Sequence, residues 1–166
     1  MDNLKTFLSR QLSSAKRIAI LGIGSELRQD DAAGMLALRG IGRSLKKDPK
    51  TAKKVRLFLG ETAPENLTGE IKKYRPTHLI LIDTIEMNEK PGTILVVDPE
   101  RIADGASFST HKLPAKVLID YLAKSFKSTV TIIGIQPKGL DFGKPPSKDV
   151  KAAVKEVVRA IRFAVK

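Results

Sequence analysis

A chain of 166 residues is long enough to bury a core without covalent help, and its lack of cysteine excludes thiolate metal sites, a cysteine nucleophile and a disulfide framework. The formal charge of +12, from 30 Lys+Arg against 18 Asp+Glu, raises nucleic acid as a partner, because counterion release rewards any basic surface. The cations are scattered, however (Lys46, Lys47, Lys53, Lys54, Lys72, Lys73, Lys151, Lys155), and two tyrosines and no tryptophan leave little for base stacking, so a solvated basic surface with no specific nucleic-acid partner is expected.

No apolar run approaches the roughly 18 to 20 residues that a bilayer demands, so one domain over residues 1–166, cytoplasmic and not inserted in a membrane, is expected. Leu4, Phe7, Leu8 and Leu12 recur at helical spacing and predict an amphipathic N-terminal helix. A strand follows over Arg17 to Gly22, then a helix capped by Asp30 or Asp31 and running to about Lys46 on Met35, Leu36, Leu38 and Ile41. The second strand is Val55 to Gly60. Beyond it, Thr62 or Ala63 reads as a cap with Pro64 in the first turn, opening a helix that ends near Tyr74.

The third strand, His78 to Asp83, is almost continuously apolar, as a central strand covered on both faces must be. The fourth, Thr93 to Val97, follows a Pro91-Gly92 segment too short for a helical crossover, so it runs antiparallel to the third. A helix from Leu113 to about Phe126, a fifth strand from Thr129 to Ile135 and a last helix from Ser147 to Val165 complete the chain. This alternation predicts an α/β fold: a three-layer α/β/α sandwich around a five-stranded, mostly parallel sheet with one antiparallel edge strand.

In open α/β sheets, ligands bind beyond the carboxyl ends of the parallel strands. Asp31 and Asp83 leave the first and third strands there. His111 precedes a helix that leads into another parallel strand, which places it at the same end, whereas His78 opens the third strand at the opposite end. Capping accounts for Asp30, but Asp31 is one acidic residue more than a single cap needs. Asp83 ends an apolar run, where a carboxylate needs a backbone N–H or a cation to offset desolvation. The stretch LGIGSELRQDDAAG suggests a dinucleotide turn, yet Leu27 stands at the third glycine position and the acidic pair would repel a phosphate. A cation suits it better. Glu61 and Gln136, in loops at the same end, are candidate substrate-binding residues. Ser25 lacks a nucleophile elbow around it.

Taken in order, GIGSELRQDDAAG, TAPEN, HLILIDTIEM, STHKLP and IIGIQP resemble the hydrogenase maturation endopeptidases, in particular those of the formate hydrogenlyase type. The resemblance covers nearly the whole chain and implies a five-stranded sheet between helices with one reversed edge strand. It also implies an endopeptidase that removes the C-terminal extension from the nickel-loaded large-subunit precursor of a nickel–iron hydrogenase. By the same resemblance the metal-binding and catalytic positions fall on Asp31, Asp83 and His111, with nickel supplied by the precursor and another divalent metal conceivable in isolation. Ser25 stands where the family usually has Asn, Ala32 where it has Gly, and Leu59-Gly60-Glu61 where relatives often show Asp-Gly-Gly. Two mechanisms are open, a water-activating metal of the enzyme's own or engagement of the client's nickel, and the resemblance favours the second. Rival readings are a non-catalytic metal chaperone with the same ligands and a basic nucleic-acid-binding module.

Overall fold

Two periodicities, alternation in the strands and helical spacing between them, build the chain in the computed structural model, which describes residues 4–97 and 128–166. Its elements are α1 (Leu4–Gln11), β1 (Ile18–Ile23), a 3-10 turn (Gln29–Ala32), α2 (Ala33–Leu45), a short α3 (Pro49–Ala52) and β2 (Val55–Glu61). They continue with a second 3-10 turn (Pro64–Leu67), α4 (Thr68–Tyr74), β3 (His78–Thr84), β4 (Ile94–Val97), β5 (Thr129–Ile135) and α5 (Lys148–Ala164). The helix expected from Leu113 to Phe126, and His111 before it, lie outside the described residues.

The strands form one sheet in the order β2-β1-β3-β5-β4, with β3 in the middle and every residue of β3 buried. The pairs β1–β2, β1–β3 and β3–β5 are parallel. β4 is the reversed edge strand and pairs with β5, which lies between it and β3. Alternation sorts the strand side chains into two cores. Ile18, Ile20, Ile80, Ile82, Ile133 and Ile135 face Leu8 of α1, Ala37, Leu38 and Ile41 of α2, and Val150, Val157 and Ile161 of α5. Ala19, Leu21, Leu79, Leu81 and Ile132 face the other way, with Phe58 of β2 and Ile71 of α4. Each fully buried large side chain contributes about 1.5–3 kcal/mol, so the two cores carry most of the stability.

Two glycines set how close α2 comes to the sheet. A Cβ on Gly34 would lie 2.2 Å from the Ile23 carbonyl oxygen and 2.4 Å from that of Ile82, and one on Gly22 would lie 2.6 Å from the Gly34 oxygen. The first turn of α2 therefore rests directly on the backbone of β1 and β3. Gly22 and Gly34 of the first motif thus serve helix-to-strand contact.

Three details differ from the sequence reading. α2 has Ala32 at its N-cap with no side-chain cap bond, because Asp30 and Asp31 are drawn into the preceding 3-10 turn. The segment at Pro64 also begins as a 3-10 turn, with Ala63 at its cap position, before α4 proper. The short α3, absent from the reading, is stabilised by Asp48, whose carboxylate accepts the Thr51 N–H (3.2 Å) and hydroxyl (2.7 Å).

Candidate active site

β1 leads by way of α2 to β2 on one side, whereas β3 lies on its other side, so the loops after β1 and β3 diverge at the topological switch point of the sheet. Asp31 stands in the loop after β1 and Asp83 near the end of β3. β1 and β3 pair in register from Ile18 with His78 to Gly22 with Ile82, so the two strands end together.

Asp31 is held by the turn before it. Gly24 adopts φ +125°, a conformation that L side chains rarely adopt, and a Cβ there would lie 1.8 Å from the Asp31 carbonyl oxygen. The turn closes tightly enough for the Ser25 N–H to donate to Asp31 Oδ2 at 2.8 Å. Ser25 thus contributes its backbone to the site, while its hydroxyl accepts the Leu27 N–H at 3.3 Å. Asp83 is buried, and its Oδ1 accepts the Thr84 N–H at 2.7 Å. Each carboxylate thereby has a backbone donor that fixes it and offsets part of its desolvation.

Asp30 proves to be something other than a helix cap. It is fully buried, with Oδ2 accepting the N–H groups of Lys138 (2.8 Å) and Gly139 (3.3 Å) and Oδ1 that of Ser147 (2.6 Å). It ties the β1–α2 loop to the β5–α5 loop. Sequence reasoning missed this role because a cap accounts for one acidic residue at a helix start, and the partners lie more than a hundred positions away. The signal available was the doubling of the aspartate.

Gln136 is buried, and its amide is committed internally. Oε1 accepts from the N–H groups of Met87 (2.7 Å) and Glu89 (3.3 Å), and Nε2 donates to Glu86 Oε1 (2.7 Å) and the Pro137 carbonyl (3.1 Å). Its geometry shapes the loop after β3 and leaves the amide little to offer a substrate. Glu61 ends β2 at φ +46°, its carbonyl accepting the Gly24 N–H at 2.8 Å while its side chain is exposed. It braces the turn that holds Asp31 and leaves a carboxylate open to solvent at this end of the sheet.

Among the described residues no group of three His, Cys, Asp or Glu side chains could hold a metal ion. Asp31 and Asp83 supply two oxygen donors, which suit a hard or borderline divalent cation. His111, the third expected ligand, falls outside the described residues.

An α/β/α protein with two backbone-anchored carboxylates at the switch point of a mixed five-stranded sheet is the class that the fold and site define. The model of the hydrogenase maturation protease family HycI matches residues 40–162. A Methanocaldococcus jannaschii protein with the provisional name hydrogenase maturation protease is 32% identical over 95% of this chain and 94% of its own length. The crystal structure of a nickel–iron hydrogenase maturation protease, HycI from Thermococcus kodakarensis, superimposes with a TM-score of 0.83 at 28% identity, covering 96% of this chain and 98% of that one. The solution structure of the endopeptidase HycI from Escherichia coli gives 0.74 at 32% identity over 86% of this chain and 87% of that one. The chain belongs to the hydrogenase maturation protease family, and it is a peptidase. That membership sets aside the non-catalytic chaperone and the nucleic-acid module as its principal activity.

Proposed function

We propose that this protein is a cytoplasmic endopeptidase that removes the C-terminal extension of a nickel-loaded large-subunit precursor of a nickel–iron hydrogenase. In this reading Asp31, Asp83 and His111 engage the nickel that the precursor already carries. The observation that supports it is the position of Asp31 in the turn after β1 and of Asp83 near the end of β3, two adjacent central strands, with each carboxylate accepting a backbone N–H. Two carboxylates and an imidazole leave coordination positions open on a borderline cation, so the ion can keep its ligands from the client while the enzyme grips it. The nickel then serves as the recognition element and fixes the scissile peptide beside the site, where orientation lowers the barrier to hydrolysis. A precursor without nickel offers no anchor and keeps its extension until metal insertion is complete.

The test is cleavage of purified large-subunit precursor, with and without nickel, by enzyme stripped with chelator. Processing should occur with the nickel-loaded precursor alone, and Asp83→Asn should abolish it with the melting temperature unchanged, since the amide keeps the volume and removes the charge. Rapid processing of nickel-free precursor, or a requirement for zinc added to the enzyme, would replace this account with ordinary metalloprotease chemistry.

A further inference from the structure

The two candidate ligands, Asp31 in the turn after β1 and Asp83 near the end of β3, lie some fifty residues apart, and one chain of hydrogen bonds joins them. Thr84 is buried at the end of β3, directly after Asp83, and its hydroxyl donates to the Asp30 carbonyl at 2.8 Å. That carbonyl belongs to the peptide unit linking Asp30 to Asp31. The N–H of the same unit donates to the Arg28 carbonyl at 2.9 Å, so both polar ends of the plane that carries Asp31 are fixed. On its other side, the Thr84 N–H donates to Asp83 Oδ1 at 2.7 Å. One residue therefore holds the Asp83 carboxylate with its backbone and the backbone of Asp31 with its side chain.

The Asp30 carboxylate anchors this link from behind. Its three backbone donors come from the β5–α5 loop and from Ser147, the N-cap of α5, and the backbone N–H of Asp30 donates to the Gly139 carbonyl at 3.3 Å. A carboxylate is acceptor-only, so it can satisfy all three donors at once; an amide in its place would turn an N–H2 group towards at least one of them. Neither contact resembles generic core packing. Each ends on the residue next to a candidate ligand, and each needs a particular polar atom where an apolar residue of equal volume would fill the space.

The geometry points to Asp30 and Thr84 as a positioning pair that sets the separation of the Asp31 and Asp83 carboxylates. This rests on the reading that those carboxylates grip nickel. The pair acts through the two ligands and touches no substrate. Partners behind metal ligands typically change metal affinity or activity about 10- to 100-fold when removed. The hydroxyl at position 84 is the part that can be deleted without changing side-chain volume.

The experiment compares wild type, Thr84→Val, Thr84→Ser, Asp30→Asn and the Asp30→Asn/Thr84→Val double variant. Ni2+ binding to the enzyme alone is measured by titration calorimetry, kcat and KM are measured on nickel-loaded precursor, and melting serves as the control for folding. Thr84→Val should melt close to wild type yet bind Ni2+ about 10- to 100-fold more weakly, with a matching loss of kcat/KM. Thr84→Ser, which keeps the hydroxyl, should restore both. Asp30→Asn should shift affinity in the same direction, and its effect should be less than additive with Thr84→Val because both act through one peptide unit. Wild-type affinity and activity in Thr84→Val would overturn the proposal, as would equal impairment of the serine and valine variants. If wild type itself neither takes up Ni2+ nor cleaves the loaded precursor, the functional reading fails first and the positioning role falls with it.

Discussion

At the level of single residues, the two ends of β3 carry opposite kinds of polar group. Asp83 at the carboxyl end faces the site, whereas His78 opens the strand beneath the fold, its Nδ1 3.0 Å from the Thr77 hydroxyl. Burial holds the His78 imidazole below its ordinary value, against a smaller opposing effect of a hydrogen bond with the Gln11 backbone. A histidine with a lowered folded pKa stays neutral in the native state while the unfolded chain takes up a proton. Its contribution to stability is therefore complete above the unfolded value of about 6.5 and declines as the pH falls from there to the folded value. Urea midpoints for wild type and His78→Phe should diverge on that account: between pH 8 and 5 the wild type loses more stability than the variant. Parallel curves through that range would show that His78 is not the group responsible.

Elements meet through backbone as well as side chains, and α2 is where this matters most. Gly34 lies between two strand carbonyls that cannot move apart without separating β1 from β3. Gly69 in α4, by contrast, has nothing within 4 Å of a built Cβ. The two glycines thus predict opposite outcomes for the same substitution. Gly34→Ala should destabilise by about 3 kcal/mol or more, at or beyond the upper end for an overpacked core, since the atoms in the way are backbone. Gly69→Ala should stabilise by about 0.5–1 kcal/mol through helix propensity alone. Chemical denaturation of the two variants checks both, and a tolerated Gly34→Ala would mean that the first turn of α2 sits farther from the sheet than described.

For the whole molecule the dominant long-range feature is its charge. The ion pairs among the described residues, Arg39 with Glu26, Arg56 with Glu70 and Lys144 with Asp141, all involve exposed side chains, where such pairs contribute little. Arg17, Lys73 and Arg75 gather below the sheet, away from Asp31 and Asp83, where the Arg17 Nε donates to the Arg75 carbonyl at 2.7 Å. A surplus of this kind attracts polyanions without reading them. Random duplex DNA should accordingly bind at low ionic strength and be released by about 150–200 mM salt, with no sequence preference. Sequence-selective retention above that concentration would require a nucleic-acid function in addition to proteolysis. No helix among the described residues is long and apolar enough to cross a membrane.

Sequence periodicity by itself determined the layers. The continuous apolar run from Leu79 to Ile82 demanded a strand covered on both faces, and the short Pro91-Gly92 connection demanded a reversed strand, because both follow from local geometry and hydrophobic burial. Five ordered motifs were enough to reach the family. Topology reasoning placed Asp31 and Asp83 at one end of the sheet, since the carboxyl end of a parallel strand is set by chain direction alone. Only the tertiary structure decided what each polar group does there. Asp30 accepts N–H groups more than a hundred residues away, Thr84 joins two loops through one hydroxyl, and the Gln136 amide turns inward to the chain after β3. Hydrogen bonds of this kind depend on ångström-scale placement of segments distant in sequence, and no local propensity or spacing encodes that distance.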